Sequence, residues 1–145
     1  MPPLSTPQQA AVRAAGGANH RGSLSDGILV KDNHLGGLSI EAAVRRAHLR
    51  WPGRTVEVEC DTRAQVEAAI AAGADLVLLD NMTPTEVGDC VKLVDHRCLV
   101  EVSGGITIQT VGEYADAGPD LISVGAITHS ATILDIGLDL PELGD

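Results

Sequence analysis

The sequence of 145 residues has few aromatic side chains: one Trp, one Tyr and no Phe. Proteins that bind single-stranded nucleic acid stack bases on aromatic rings, so this scarcity argues against that class. Basic residues are also scarce: the sequence has ten Lys and Arg but 20 Asp and Glu. The net charge of -10 disfavours binding to the phosphate backbone of any nucleic acid.

Cysteines and long apolar runs are scarce too. Cys60, Cys90 and Cys98 show no C-x-x-C spacing, which favours reduced thiols over a disulfide framework or a zinc site. The sequence has no run of about 18 apolar residues and no signal-peptide pattern at its start. We therefore expect a soluble, cytoplasmic protein that does not interact with a membrane.

The charges are unevenly distributed along the chain. Residues 1–54 hold seven basic and three acidic residues, whereas residues 55–145 hold three basic and seventeen acidic ones. A site with a basic wall for a polyanionic ligand and an acidic wall for a metal would use this asymmetry. Solvated helix faces of different composition would also produce it.

Short apolar runs alternate with helical patterns in most of the sequence. Predicted strands lie at 27–31, 55–60, 75–80, 98–103 and 120–126, and predicted helices at 39–50, 62–72, 83–94 and 107–117. Thr62 with Gln65 and Thr83 with Glu86 have the spacing of capping boxes. Residues 1–15 form an irregular leader or a short helix, and "TILDIGLDL" is a possible sixth element.

This alternation predicts an α/β fold with a parallel sheet. A closed barrel of eight strands takes about 250 residues, so a chain of 145 residues with five predicted strands supplies part of one. The length suits one domain over residues 1–145. The predicted fold is therefore a partial, TIM-like (β/α) barrel.

Ligands of parallel α/β folds bind beyond the carboxyl ends of the strands. The residues at these ends are Lys31, Glu59, Asp80, Ser103 and Gly125. The alternation of side chains along a strand directs the acidic groups of three neighbouring strands to one face. The burial of carboxylates on such a face costs free energy of folding unless they are paired or bind a metal.

Two interpretations stay open for the acids in the middle of these strands. Glu57 and Glu101 lie two residues before the strand ends, where they could form internal ion pairs or belong to the site. For Glu59 and Asp80, at or next to the strand ends, we favour a functional role.

Two glycine-bearing turns follow successive late strands. "SGGIT" covers residues 103–107 and "SVGAIT" covers residues 123–128. Glycine lets the backbone approach a phosphate, and a helix that begins there presents unpaired N–H groups. Two such turns are typical of barrels that bind phosphate groups, and we expect a helix to begin at each.

Five segments together resemble quinolinate phosphoribosyltransferase, also called nicotinate-nucleotide pyrophosphorylase (carboxylating). They are "GGANHRGSLSDGILVKDNH", "VEVECDT", "ADLVLLDNMTP", "EVSGGIT" and "DLISVGAITHSATILDIGLDL", which fall within residues 11–140. The resemblance is to the C-terminal barrel portion. It implies a pentosyltransferase that uses Mg²⁺ to transfer phosphoribose from phosphoribosyl pyrophosphate to quinolinate. The products are nicotinate mononucleotide, CO₂ and pyrophosphate, on the route to NAD.

The resemblance also implies roles for individual residues. His20 and Arg21 would face the quinolinate carboxylates, and Lys31 would act near both substrates. Glu59 and Asp80 would lie beside the ribose and hold the Mg²⁺, so that Lys31, Glu59 and Asp80 form the implied catalytic set. The residues implied in binding the 5′-phosphate are Ser103, Gly104, Gly105, Val124, Gly125, Ala126 and His129.

Some features of the family have no counterpart in this sequence. The family carries an N-terminal domain of helix and sheet and forms homodimers in which that domain supplies an Arg to the partner's site. The region that corresponds to the family's "TRKT" motif reads "LSTPQQAAVRAAGG". The alternatives are thus a non-catalytic phosphate- or nucleotide-binding module, or a related phosphoribosyltransferase with another acceptor. His20 and Arg21 favour a dicarboxylate acceptor over the latter.

Overall fold

The computed structural model describes residues 5–20, 26–130 and 134–137. Its five strands are β1 (Ile28–Val30), β2 (Val56–Cys60), β3 (Leu76–Asp80), β4 (Leu99–Ser103) and β5 (Leu121–Ile122). Its helices are α1 (Ser5–Ala14), α2 (Asp32–Leu35), α3 (Ile40–Arg50), α4 (Arg63–Ala71), α5 (Pro84–Val94), α6 (Val111–Asp116) and α7 (Ala126–His129).

The strands form one parallel sheet in the order β1-β2-β3-β4-β5. Each strand therefore pairs with the next strand along the chain. This order is expected when the helix between two strands brings the chain back so that the next strand can run parallel to the last one. This arrangement confirms the predicted α/β class and the partial barrel. Within the described residues, β1 and β5 each pair on one side only.

Local sequence signals place the starts of the three longer helices after α1. The Ser39 side chain accepts a hydrogen bond from the Ala42 amide and caps α3. Complete capping boxes at Thr62 and Thr83 begin α4 and α5, as predicted. Each box satisfies backbone N–H groups that a helix end leaves unpaired.

The elements at the two ends of the sheet differ from the prediction. The strand predicted at 120–126 is only Leu121–Ile122, because it is an edge strand and α7 begins four residues after it. Residues 1–15, predicted as an irregular leader or a short helix, contain the helix α1, and two further helices of four residues each are α2 and α7. Within "TILDIGLDL", residues 134–137 have no regular secondary structure, and the others lie outside the described residues.

The two faces of the sheet have different chemistry. The face that packs against the helices carries the core, which includes Val56, Val58, Cys60, Val77, Leu79, Val100 and Val102. The opposite, concave face carries Glu57, Glu59, Leu76, Leu78, Asp80, Glu101 and Ser103. This division follows from the alternation of side chains along each strand. The sheet thereby presents acidic and hydroxyl groups on the concave face only.

Two aspartates, each directly before a strand, accept a backbone hydrogen bond from the neighbouring strand. The Val56 amide donates to Asp75 Oδ2 at 2.8 Å, and the Val100 amide donates to Asp120 Oδ2 at 2.8 Å. Each aspartate thus accepts from an amide at the start of the strand beside its own, from the first residue of β2 and from the second residue of β4. The same arrangement recurs two βα units later, since Asp75 precedes β3 and Asp120 precedes β5.

Asp75→Ala is expected to lower the free energy of unfolding by about 1–3 kcal/mol, because it leaves the amide of the fully buried Val56 without its acceptor. Asp89→Ala, which removes an exposed acid on α5, is the control and should change it by at most about 0.5 kcal/mol. Urea unfolding measures both values. Equal losses in the two variants would contradict the structural role of Asp75.

No helix within the described residues is long and apolar enough to cross a membrane.

Candidate functional site

An ion pair joins the first two strands at their carboxyl ends. Lys31, the residue after β1, places its Nζ 2.6 Å from Glu59 Oε2 on β2. The Glu59 side chain is 12% exposed and that of Lys31 is 40% exposed. The Lys31 side chain is therefore the more exposed member of the pair. The two residues form a pair of opposite charges at the edge where parallel α/β folds bind ligands.

Both oxygens of Asp80 at the end of β3 accept hydrogen bonds. Ser103 Oγ donates to Asp80 Oδ1 at 2.8 Å, and Asn81 Nδ2 donates to Asp80 Oδ2 at 2.7 Å. The register of the sheet explains the first bond, since Asp80 lies directly opposite Ser103. Both donors are neutral groups. They orient the carboxylate but do not neutralise its charge.

The turn after β4 is packed tightly against Asn81. The Asn81 amide donates to the Ser103 carbonyl at 3.0 Å, which holds Asn81 in the left-handed region at a φ of 56°. Gly104 has a φ of 95°, and a Cβ there would lie 2.3 Å from Asn81 Oδ1. Only glycine fits at this position. Gly105 is also left-handed, with a φ of 61°, but a Cβ there would meet nothing within 4 Å.

The helix expected to begin at this turn begins later. The prediction of a helix at 107–117 was wrong at its start, because α6 spans only Val111–Asp116. The Thr107 amide donates to Thr110 Oγ1 at 3.0 Å, so these residues form a side-chain-capped turn ahead of the helix. The N–H groups at the turn that carries Gly104 are therefore those of a loop.

The second glycine turn does begin a helix, although a short one. Gly125 is the N-cap of α7, and the His129 amide donates to the Gly125 carbonyl at 3.0 Å. Val124 and Ala126 flank the cap. The structure thus brings His129 within one helical turn of Gly125.

His20 contacts two acids in the middle of the sheet. Its Nε2 lies 3.2 Å from Glu57 Oε2 and 3.6 Å from Glu101 Oε1. Ser123 Oγ also donates a hydrogen bond to Glu101 Oε1. Glu57 and Glu101 thus share a contact with a histidine that the sequence analysis places in the site, so both interpretations of the two acids stay open. Arg21 lies outside the described residues.

A cavity of about 290 Å³ opens beside these side chains. Its lining includes His20, Glu57, Glu101 and Ser123, together with residues near the amino ends of the strands. The concave face therefore carries two polar regions. One lies at the carboxyl ends of the strands around Glu59 and Asp80, and the other lies deeper, around Glu57 and Glu101.

Comparison with known proteins gives the family. The family model described as "Quinolinate phosphoribosyl transferase, C-terminal domain" matches residues 1–139. The chain belongs to this family. The resemblance seen in the sequence is thus confirmed.

Named relatives agree with the family model. The chain is 42% identical over 144 residues to the nicotinate-nucleotide pyrophosphorylase [carboxylating] of Mycobacterium leprae, covering 97% of this chain and 51% of the relative. It is 40% identical over 141 residues to the probable nicotinate-nucleotide pyrophosphorylase [carboxylating] of Bacillus subtilis, covering 96% and 49%. The chain spans about half the length of the curated relatives it matches.

Solved structures agree as well. The nicotinate-nucleotide pyrophosphorylase from Ehrlichia chaffeensis superimposes with a TM-score of 0.89 at 38% identity, covering 96% of this chain and 51% of that one. NadC from Streptococcus pyogenes gives a TM-score of 0.86 at 39% identity, covering 93% and 48%. A thiamine phosphate pyrophosphorylase from Pyrococcus furiosus, at 20% identity and a TM-score of 0.58, shares the fold.

Within this family of phosphoribosyltransferases, the acids at the carboxyl ends of the strands are suitable Mg²⁺ ligands. Mg²⁺ prefers oxygen donors and uses one or two protein carboxylates together with water and substrate phosphates. Asp80 provides an oriented carboxylate whose donors are neutral, and Glu59 lies on the neighbouring strand and the same face. The residues present therefore fit the cation.

The site includes one residue that the sequence analysis did not single out. Asn81 contacts Asp80 by its side chain and Ser103 by its backbone, so it joins the ends of β3 and β4. The only sequence signal was its position directly after the strand, where Asn tolerates a left-handed conformation.

The cysteines do not belong to the site. Cys60 points into the core on the helix side of the sheet, and burial raises its pKa to about 12. Burial also raises the pKa of Cys90 and of Cys98. Thiols of this kind are poor nucleophiles at neutral pH because the thiolate is the reactive form. The chemistry of the concave face is thus that of carboxylate, ammonium, imidazole and hydroxyl groups.

Proposed function

We propose that this chain transfers phosphoribose from phosphoribosyl pyrophosphate to the ring nitrogen of quinolinate, with loss of CO₂ and pyrophosphate. Nicotinate mononucleotide is the organic product, and the reaction serves NAD synthesis in the cytoplasm. The observation that carries the proposal is the charged arrangement at the carboxyl ends of β1 to β4, where Lys31 pairs with Glu59 and Ser103 orients Asp80. Membership of the family supports it.

The carboxylates have an electrostatic role in this reaction. As the bond from the anomeric carbon to pyrophosphate breaks and the bond to the quinolinate nitrogen forms, positive charge develops on the ribose. Glu59 and Asp80 stabilise this charge because they are fixed in place beforehand and need no reorganisation. Both acids would hold Mg²⁺, and the bound ion would supply positive charge for the pyrophosphate leaving group.

The cations and turns bind the negative groups of the substrates. Lys31 lies between the two substrates, where its Nζ exchanges part of its contact with Glu59 for a substrate oxygen. His20 and Arg21 bind the quinolinate carboxylates, since a guanidinium group can bind a carboxylate through two hydrogen bonds. The 5′-phosphate is bound by backbone N–H groups of the two turns, with His129 beside them: Ser103, Gly104, Gly105, Val124, Gly125 and Ala126.

The position of His20 supports its proposed role. Its Nε2 contacts Glu57 and Glu101, and these contacts hold the imidazole over the face of the sheet where we propose that quinolinate binds. Positioning of this kind is the main contribution of a protein when no covalent intermediate forms.

A non-catalytic module that binds phosphate or a nucleotide is the second candidate. The observation that favours it is the sequence "LSTPQQAAVRAAGG", which lacks the Arg and Lys of the family's "TRKT" motif. Such a module would use the two glycine turns and Asp80, and would hold phosphoribosyl pyrophosphate without transferring it. A phosphoribosyltransferase that uses another acceptor in place of quinolinate is a variant of the first candidate.

One incubation distinguishes the two candidates. The purified chain is mixed with quinolinate, phosphoribosyl pyrophosphate and Mg²⁺, and both nicotinate mononucleotide and pyrophosphate are quantified over time. Equal amounts of the two products are expected for the transferase. Binding of phosphoribosyl pyrophosphate without product at high protein concentration would decide for the module. Pyrophosphate release with another nitrogen acceptor in place of quinolinate would identify the variant.

We further propose that the chain acts as a homo-oligomer. The sheet edges at β1 and β5 support this, because each pairs on one side only within the described residues and unpaired edges favour association.

A further inference from the structure

We propose that Asn81 is a positioning residue for Mg²⁺-dependent binding of phosphoribosyl pyrophosphate, and that it acts through the carboxylate of Asp80. This inference rests on the proposed function, because it concerns the Mg²⁺ site that the acids at the strand ends would form. Asn81 is not itself a ligand of the ion. Its role is to hold Asp80 in the orientation that suits both the cation and the ribose.

The side-chain amide of Asn81 fixes one oxygen of Asp80. Asn81 Nδ2 donates to Asp80 Oδ2 at 2.7 Å, while Ser103 Oγ donates to Oδ1 of the same carboxylate at 2.8 Å. An ionised carboxylate only accepts hydrogen bonds, so the nitrogen of the Asn81 amide, and not its oxygen, faces Asp80. One donor on each oxygen restrains the rotation of the carboxylate and leaves about two of its roughly four lone-pair sites for a cation.

The backbone of Asn81 is anchored on both sides. Its N–H donates to the Ser103 carbonyl at 3.0 Å, and its φ of 56° lies in the left-handed region. The next residue, Met82, is buried, and its carbonyl accepts a hydrogen bond from the Tyr114 hydroxyl at 3.1 Å. Thr83 then caps α5. The amide of Asn81 therefore projects from a fixed backbone, as a positioning group requires.

The chemistry of this position favours asparagine over other residues that tolerate a left-handed backbone. Glycine adopts a positive φ without strain but has no side-chain donor. Aspartate also tolerates the conformation, but its ionised carboxylate has no donor and would repel Asp80. Asparagine combines the backbone tolerance with a neutral N–H donor, so it orients Asp80 without neutralising the charge that would bind the ion.

The same contacts connect Asp80 to the turn after β4. Ser103 bonds to Asp80 by its hydroxyl and to Asn81 by its carbonyl, and a Cβ at Gly104 would lie 2.3 Å from Asn81 Oδ1. Asn81 thus lies between the proposed Mg²⁺ ligand and the turn proposed to bind the 5′-phosphate. Partners that orient a metal-binding carboxylate typically contribute about 10- to 100-fold to the affinity for the metal.

Asn81→Gly in the full chain tests the inference, because glycine keeps the left-handed backbone and removes only the side chain. The affinity for phosphoribosyl pyrophosphate is measured by isothermal titration over a series of Mg²⁺ concentrations. The Mg²⁺ concentration for half of the maximal gain in affinity should rise about 10- to 100-fold, whereas the affinity without Mg²⁺ should stay within about twofold. Added to Asp80→Asn, the same substitution should change the affinity by at most about twofold, since the group it orients is already lost.

His96→Gly is the matched control. His96 is exposed, lies between α5 and the amino end of β4, and has a φ of 57°. The substitution thus removes a side chain from the same backbone conformation at a distance from the carboxyl ends of the strands. The Mg²⁺ dependence should equal that of the original chain, and urea unfolding checks that both glycine variants are folded.

The outcomes separate this inference from the proposed function. It is overturned if Asn81→Gly keeps the original Mg²⁺ dependence, if it weakens binding equally with and without Mg²⁺, as a purely structural role would, or if it adds a further loss to Asp80→Asn. Binding by the original chain that Mg²⁺ does not tighten would also overturn it. Nicotinate mononucleotide formation by the original chain is quantified in parallel and tests the transfer reaction by itself. No binding of phosphoribosyl pyrophosphate by the original chain would overturn both.

Discussion

Asp80→Asn is expected to lower the rate of nicotinate mononucleotide formation by at least about 100-fold, the effect of removing one electrostatic group fixed for the transition state. The asparagine keeps the size of the side chain and can still accept the hydrogen bond from Ser103 Oγ. It loses the negative charge that we propose binds Mg²⁺ and faces the ribose. The rate at saturating substrates and the Mg²⁺ concentration for half-maximal rate are the quantities to measure.

The matched control for this variant is Asp89→Asn. Asp89 lies on α5, is exposed and pairs with Lys92 three residues away, so the substitution removes the same charge without touching the concave face. Its rate should stay within about twofold of the original chain, because an exposed surface charge has little effect. If Asp80→Asn retains the original rate while the fold is intact, Asp80 is not part of the catalytic machinery.

Gly104→Ala has the largest expected effect on stability. The added Cβ would lie 2.3 Å from Asn81 Oδ1 and 2.7 Å from the Asn81 backbone nitrogen. The nitrogen cannot yield, because its N–H donates to the Ser103 carbonyl at the end of the sheet. The φ of 95° adds strain for any side chain. We expect a loss of at least about 2 kcal/mol in the free energy of unfolding.

Gly105→Ala separates the close contact from the backbone strain. Gly105 is the next residue and is also left-handed, with a φ of 61°, but a Cβ there meets nothing within 4 Å. Only the backbone cost of about 1–2 kcal/mol applies. Urea unfolding of the two variants gives the comparison. If Gly105→Ala loses as much stability as Gly104→Ala, the contact with Asn81 does not determine the turn.

Most of the fold could be predicted because its signals are local. A capping box needs two residues three positions apart, so Thr62 and Thr83 mark the starts of α4 and α5 without any tertiary information. The alternation of β2 likewise assigns Glu57 and Glu59 to one face. Parallel pairing then brings the carboxyl ends of neighbouring strands to one edge, where Asp80 meets Ser103.

The parts that could not be predicted depend on contacts between distant segments. His20 contacts Glu57 and Glu101 because the segment after α1 passes over the concave face, and no local pattern encodes that path. Asn81 adopts a positive φ because its amide reaches Ser103. The late start of α6 has a local cause that was missed, since Thr107 and Thr110 bond to each other and hold a turn.

The concave face combines two sets of acids at different depths. Glu59 and Asp80 lie at the strand ends with Lys31 beside them, and Glu57 and Glu101 lie two residues deeper in contact with His20. The first set suits a substrate that carries phosphate groups and Mg²⁺. The second set is shielded from solvent.

The Mg²⁺ dependence of phosphoribosyl pyrophosphate binding is the decisive measurement for the proposed site at the carboxyl ends of the strands. Isothermal titration of the full chain with phosphoribosyl pyrophosphate should show one site per chain in the presence of Mg²⁺. Binding should be at least about 10-fold weaker without Mg²⁺ or in Asp80→Asn, because a fixed carboxylate and its cation are lost together. Unchanged binding in Asp80→Asn, or the same affinity with and without Mg²⁺, would rule out the proposed Mg²⁺ site at Asp80.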